Sequence, residues 1–201
     1  MTQIPDTLPL FPLQTVLFPE GRLALKVFEA RYIDMVSTCL REDACFGVCL
    51  IAAGSEVGEA AVPHPVGTEA RIVNADSVTP GLLDIVVSGA RRFRLVDHAV
   101  DRGQLLRGDV VWLPDAPHTA VPAAQANLIP LLRRIVKEQG ARVAAPYRFD
   151  DAAWVGARYA EVLPIPELAR QKLLELDDVV SRLEIVQQYL DQRGLLAPGA
   201  G

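Results

Sequence analysis

The sequence predicts an α+β protein, with a β-rich part over residues 1–115, a helical bundle over 116–194 and a flexible tail at 195–201. Three observations carry this. Before residue 115 the apolar residues fall in short runs separated by Gly/Pro turns; a proline-containing linker occupies 114–122; after it the apolar residues recur at helical spacing.

Taken in order, Leu8-Pro9-Leu10-Phe11-Pro12-Leu13 is extended, because each proline disfavours helix for itself and for its predecessor. A strand at 23–27 follows the Pro19-Glu20-Gly21 turn. From 29 to 41 the chain turns helical, with Tyr32, Met35, Val36 and Cys39 on one face. The nearly unbroken apolar run at 45–52 reads as a buried strand, and 54–67 as a Gly/Pro/Glu-containing loop. Strands resume at 68–75, 83–88, 92–100 and 105–112, with a hairpin turn at Thr79-Pro80-Gly81. In Arg92-Phe93-Arg94-Leu95 the alternation points Phe93 and Leu95 inward and both arginines outward. Several short strands of this kind suggest a small barrel or sandwich.

In the second part, Leu128, Leu131, Leu132, Ile135 and Val136 form a helical stripe that stops at Gly140, with Pro130 either kinking it or sitting near its start. Asp150 or Asp151 caps a helix carrying Trp154, Ala157 and Tyr159, which Leu163-Pro164 closes. Pro166 suits the first turn of the next helix. Asp177 or Asp178 caps the last one, where Val179, Leu183, Val186 and Leu190 make a bundle-type seam.

Half of the 201 residues are apolar and 22% are charged, with 14 Gly and 15 Pro. That composition excludes a disordered chain, a collagen-like repeat and a disulfide scaffold. A chain of this size buries about 70% of its unfolded surface, so its core needs no metal or disulfide. No apolar stretch reaches the ~18 residues of a membrane helix, and the N-terminus lacks signal-peptide character, so a cytoplasmic protein is expected, with no membrane partner. The net charge of −5 lies wholly in 1–115, which holds 10 Lys/Arg against 15 Asp/Glu. Such a surface repels polyphosphate and disfavours tight nucleic-acid binding, although Arg91, Arg92 and Arg94 form a local basic patch.

Chemistry-bearing motifs are few. Cys39, Cys45 and Cys49 include no CxxC pair, and on a strand Cys45 and Cys49 stand about 13 Å apart, too far for a shared metal or a disulfide. They read as buried reduced thiols. His64 and His118 sit beside prolines in loops. His98 lies on a strand next to Asp97, but adjacent strand residues point to opposite faces, so a hydrolase built on His98 and a carboxylate ranks third among the readings. None of the five serines occupies a Gly-x-Ser-x-Gly elbow, and there is neither a P-loop nor a His-Glu-x-x-His motif. No cofactor, metal or catalytic residue is expected. What stands out is apolar: Leu10, Phe11, Leu13, Val16, Leu17 and Phe18 crowd into nine residues with Pro5, Pro9, Pro12 and Pro19 around them. A short extended segment does not easily bury all of these, so some are expected to line a groove.

Several ordered segments together resemble a known family. Leu8-Pro9-Leu10-Phe11-Pro12-Leu13, Val16-Leu17-Phe18-Pro19-Glu20-Gly21, Leu25-x-Val27-Phe28-Glu29-x-Arg31-Tyr32 and Phe46-Gly47-Val48 resemble the N-terminal substrate-binding domain of Lon ATP-dependent proteases. The likeness is greatest to stand-alone bacterial versions of that domain. Val66-Gly67-Thr68-x-Ala70-x-Ile72, Gly89-Ala90-Arg91-Arg92-Phe93-Arg94-Leu95 and Gln171-Lys172-Leu173-Leu174-Glu175 with Arg182-Leu183 extend the likeness over nearly the whole chain.

The resemblance implies a PUA-like pseudo-barrel followed by a helical bundle. It also implies a noncatalytic role in gripping unfolded or flagged polypeptide or a partner protein, with the ATPase and Ser-Lys protease modules of Lon expected to be lacking. The candidate peptide-binding residues are Phe11, Leu13, Val16 and Phe18 from the apolar crowd, and Phe28, Glu29, Arg31 and Tyr32 from the best-matching segment. For that segment a fold-stabilising role weighs more than direct contact, with Arg31 expected to pair with a carboxylate of a neighbouring strand. A few apolar pockets give weak affinity, so tight holding would require self-association or a partner. The alternative is an RNA-binding PUA-like module using Arg91, Arg92 and Arg94 with Phe93 as a stacking platform.

Overall fold

The computed structural model describes residues 6–140 and 143–196, apart from the side chain of Val78. The expected tail at 195–201 therefore falls outside the described residues from 197 onward. The chain divides into two compact units, Met1–Asp115 and Ala116–Gly201.

The first unit contains β1 (Asp6–Leu13), β2 (Arg22–Val27), α1 (Ala30–Glu42), β3 (Phe46–Ala53), β4 (Val62–Thr79), β5 (Leu82–Val100) and β6 (Leu106–Trp112). The strands form one sheet in the order β2-β5-β4-β3-β1-β6, and β6 pairs again with β5, which closes the sheet into a barrel. Closure depends on the length of β5. Its residues 83–88 pair with β2 and its residues 93–100 with β6, while β4 runs along both stretches. All pairings are antiparallel except β1 with β3, a parallel pair made feasible by the β2–α1 crossover between them.

Two local expectations are corrected. The 54–67 loop ends early, because β4 already begins at Val62 and carries Pro63, His64 and Pro65 on a strand rather than in a loop. Proline lacks the ladder N–H, and the β3–β4 pairing there is irregular, with register shifts between Cys49 and Ile51 and again between Ile51 and Ala53. Likewise, 83–88 and 92–100 are one strand. Gly89 sits within it because the backbone of the 14–21 segment approaches closely: a Cβ on Gly89 would stand 2.1 Å from the Phe18 carbonyl oxygen.

Helix α1 closes one side of this unit. It buries Tyr32, Met35, Val36 and Cys39 and ends at Asp43, whose left-handed backbone (φ 51°) returns its N–H to the Cys39 carbonyl. Tyr32 stacks on Phe11 with ring centroids 4.0 Å apart.

The second unit holds a 3-10 turn at Ala123–Gln125, then α2 (Leu128–Gln139), α3 (Ala152–Val162), α4 (Glu167–Glu175) and α5 (Val179–Gln192). Pro130 falls in the first turn of α2, where its missing N–H costs nothing. Asp151 caps α3 by accepting from the Ala153 amide, and Asp178 caps α5 by accepting from Ser181. Helix α3 packs against α2, α4 and α5, and the α5 seam of Val179, Leu183, Val186 and Leu190 is buried throughout. No described helix is long and apolar enough to cross a membrane.

Candidate functional site

The apolar crowd of the N-terminus does not line a groove. Phe11, Leu13, Val16 and Phe18 are all core residues, Phe18 only 1% exposed, and Tyr32 is buried with them. The expectation fails because both faces of β1 are covered: Leu8 and Leu10 pack with Cys49, Phe93, Leu106 and Val110 on one face, and Phe11 and Leu13 with Tyr32, Met35 and Val36 of α1 on the other. The segment after β1 then folds over β4 and β5, where the Leu17 carbonyl accepts a hydrogen bond from the Thr68 hydroxyl at 2.6 Å. Phe28 is the exception among these candidates. It stands 55% exposed between β2 and α1.

Glu29 and Arg31 are brought together, but not as expected. Arg31 finds its carboxylate two residues away rather than on a neighbouring strand, with Nη2 2.8 Å from Glu29 Oε2. Its Nη1 donates to the Gln104 carbonyl at 3.1 Å, and its guanidinium lies 4.7 Å from the Tyr32 ring centroid. Glu29 also accepts from the Gly58 amide at 3.4 Å. The pair thus ties the start of α1 to the 54–61 loop and to the 101–105 turn.

The basic patch is also reorganised. Arg91 Nε lies 3.1 Å from Glu69 Oε2, and its guanidinium packs 3.9 Å above the Trp112 ring. Arg92 is buried rather than outward-facing, so the strand is covered on both faces at that point. Phe93 is fully buried with its ring edge-to-face on Trp112, so it offers no platform for a base. Arg94 alone of the three is exposed with no ion pair among the described residues.

Sequence reasoning missed Glu69. It is 1% exposed and takes Arg71 at 2.9 Å as well as Arg91. The i, i+2 spacing of Glu69 and Arg71 on a strand, which puts both on one face, was the available signal. Burial alone would raise the Glu69 pKa, but hydrogen bonds from Arg91 and the Cys45 thiol, with the charge of Arg71, outweigh it and hold the carboxyl below its ordinary value.

His98 is exposed, opposite Gly108 in the β5–β6 ladder, and the Asp97 carboxylate accepts from the His98 backbone amide at 2.8 Å. That acid is spent on the backbone, so the Asp-His base arrangement does not form. Cys39 and Cys49 are buried and Cys45 is half-buried, all three as free thiols. Burial pushes the Cys49 thiol up to about 12, and burial together with Glu69 pushes Cys45 up to about 11.

The first unit also carries a half-open cavity of about 550 Å³. Leu8, Pro9, Met35, Cys39 and Leu105 give it an apolar floor, and Leu40, 52% exposed, stands on its α1 wall. Three arginines line it, and each is already held: Arg31 by Glu29, Arg71 by Glu69, and Arg107 by Asp101 at 2.9 Å. Slight burial would raise the Asp101 pKa, yet hydrogen bonds from Arg107, Leu105 and Gly103 lower it. Beside the cavity the parallel β1–β3 ladder begins only at Leu10, so Thr7, Leu8 and Pro9 have a strand partner on their β6 side alone.

Residues 7–192 match the family described as the ATP-dependent protease La (LON) substrate-binding domain. A crystal structure of a Lon N-terminal domain protein from Xanthomonas campestris is 38% identical, with a TM-score of 0.77 over 92% of this chain and 98% of that one. The N-terminal domain of Mycobacterium avium complex Lon protease, 20% identical with a TM-score of 0.67, has the same fold. Among curated relatives, Lon protease 2 of Myxococcus xanthus is 27% identical and the Lon protease of Anaeromyxobacter dehalogenans 25%. Each alignment takes in 94% of this chain. The chain spans 24% of the length of either relative.

Proposed function

The chain belongs to the Lon substrate-binding domain family, and on that premise we propose that its β-rich unit is a noncatalytic site that holds segments of other polypeptide chains. The observation that carries this reading is the cavity along α1, with its apolar floor and the half-exposed Leu40 on its wall. Leu40 continues the apolar lining out to the rim, and a concave cleft lined by apolar side chains with a few polar groups is the usual form of a ligand site. The one-sided edge at residues 7–9 adds main-chain groups suited to an extended segment, the β-augmentation mode of peptide recognition.

Covering one leucine contributes about 1.5–3 kcal/mol, so a single copy holds its client weakly after the cost of association. Self-association or a second protein supplies tighter holding. The RNA reading has lost its stacking platform with the burial of Phe93.

The test is fluorescence anisotropy with a labelled, permanently unfolded polypeptide, comparing the native protein with Leu40→Ser. The proposal expects saturable binding that weakens about tenfold or more in the variant, in line with the loss of one covered leucine. Binding that is absent, or unchanged by Leu40→Ser in a variant with an unaltered melting temperature, refutes it.

A further inference from the structure

The charges around this cavity are unevenly committed. Its three arginines are each bound to a carboxylate, whereas Asp34 and Asp43, which also line it, have no ion-pair or hydrogen-bond partner for their side chains among the described residues. Glu42 lies between them on the same side of α1 and is shared with the exposed Arg41 at 3.1 Å. Unsatisfied charge at the cavity is therefore negative, set along one wall above an apolar floor. Asp34 and Glu42, eight residues apart on the helix, are spread over about 12 Å. An extended chain covers a similar distance, about 13 Å, in four residues, and its alternate side chains share one face.

We propose that the cavity selects extended polypeptide segments in which lysine or arginine alternates with apolar residues. The main chain lies along the one-sided edge at residues 7–9, the apolar side chains cover Leu40 and the floor, and the cationic side chains reach the Asp34, Glu42 and Asp43 wall. This rests on the polypeptide-binding reading above and adds its chemical selectivity. Complementary charge of this kind fixes which partner is preferred more than how tightly it is held.

The probes are three labelled eight-residue peptides of alternating composition: leucine with lysine, leucine with glutamine, and leucine with glutamate. Each is titrated by anisotropy against the native protein, against Asp34→Asn/Asp43→Asn, and against Glu59→Gln/Glu184→Gln, two exposed positions outside the cavity lining. The two double variants change net charge equally. Asparagine at 43 keeps the left-handed cap that ends α1, and melting temperatures check that all three proteins fold alike.

With each partly exposed ion pair worth a factor of about 2 to 5, the native protein should prefer the lysine peptide over the glutamine peptide about fivefold to tenfold. The preference should fall below about twofold in the cavity variant and persist in the control. Equal binding of the lysine and glutamine peptides overturns the selectivity while leaving the polypeptide reading standing. An equal drop in both double variants overturns it as well, since general charge then suffices. Failure of all three peptides to bind overturns both.

Discussion

Arg31 and Glu29 form an ion pair, 2.8 Å from Nη2 to Oε2, in which the arginine side chain is only 7% exposed. Because Arg31 also holds the Gln104 carbonyl and Glu29 the Gly58 amide, the pair joins two loops to the start of α1. Arg31→Ala should therefore destabilise the protein by about 2–3 kcal/mol, through lost charged hydrogen bonds and a stranded carboxylate. A denaturant midpoint changed by the equivalent of less than about 0.5 kcal/mol, the range of an ordinary surface substitution, contradicts that role.

Glu69 makes a pH-dependent contribution whose sign follows from its environment. Its folded pKa lies below the ordinary 4.5, so its stabilisation is present above that value and is lost as pH falls through the lower folded pKa. Glu69→Gln should lower the melting temperature at neutral pH, and the gap to the native protein should close as pH drops from about 4.5. A gap that stays constant in acid removes Glu69 as its source.

The Phe18 carbonyl approach makes Gly89 unreplaceable by alanine. The same stretch is stitched by Glu20 N–H to the Gly89 carbonyl at 2.8 Å and Gly89 N–H to the Gly21 carbonyl at 2.9 Å. Backbone on both sides cannot yield as a flexible side chain does, so Gly89→Ala should cost more than about 3 kcal/mol, and urea unfolding measures it. A native-like midpoint shows that the 14–21 segment is free to move away.

In the helical unit, Arg158 is 1% exposed with its Nε 2.9 Å from Glu161 Oε2. Arg158→Ala should cost about 3–5 kcal/mol, whereas combining Arg158→Met with Glu161→Gln, which removes both charges, should recover more than half of that. Thermal unfolding of the single and double variants separates the two cases. A double variant no more stable than the single one indicates that arginine packing, and not charge pairing, is what matters.

The helical unit was the more legible half of the chain. Val179, Leu183, Val186 and Leu190 repeat locally, and the Asp150-Asp151 and Asp177-Asp178 pairs announce their helices, so period and capping suffice to place them while the structure selects Asp151 and Asp178 as the caps. The barrel depends on pairings that no local pattern reports. That β5 serves β2, β4 and β6 at once follows from closure between distant strands, and Phe11 is covered only once α1 brings Tyr32 onto it. The cavity was hidden for the same reason: Thr7 and Arg107 line it together from opposite ends of the unit. Phe28-Glu29-x-Arg31-Tyr32 could be picked out as a motif, but the partner of Arg31 became evident only with the loops in place.

The most direct test of the account is a backbone-amide NMR titration of the native protein with the alternating leucine–lysine peptide. The account predicts shifts concentrated at Thr7, Leu8, Asp34, Leu40, Asp43 and Leu105, around the cavity of the β-rich unit. Shifts confined to residues 116–196, or a uniform response without a cluster at these amides, would contradict it.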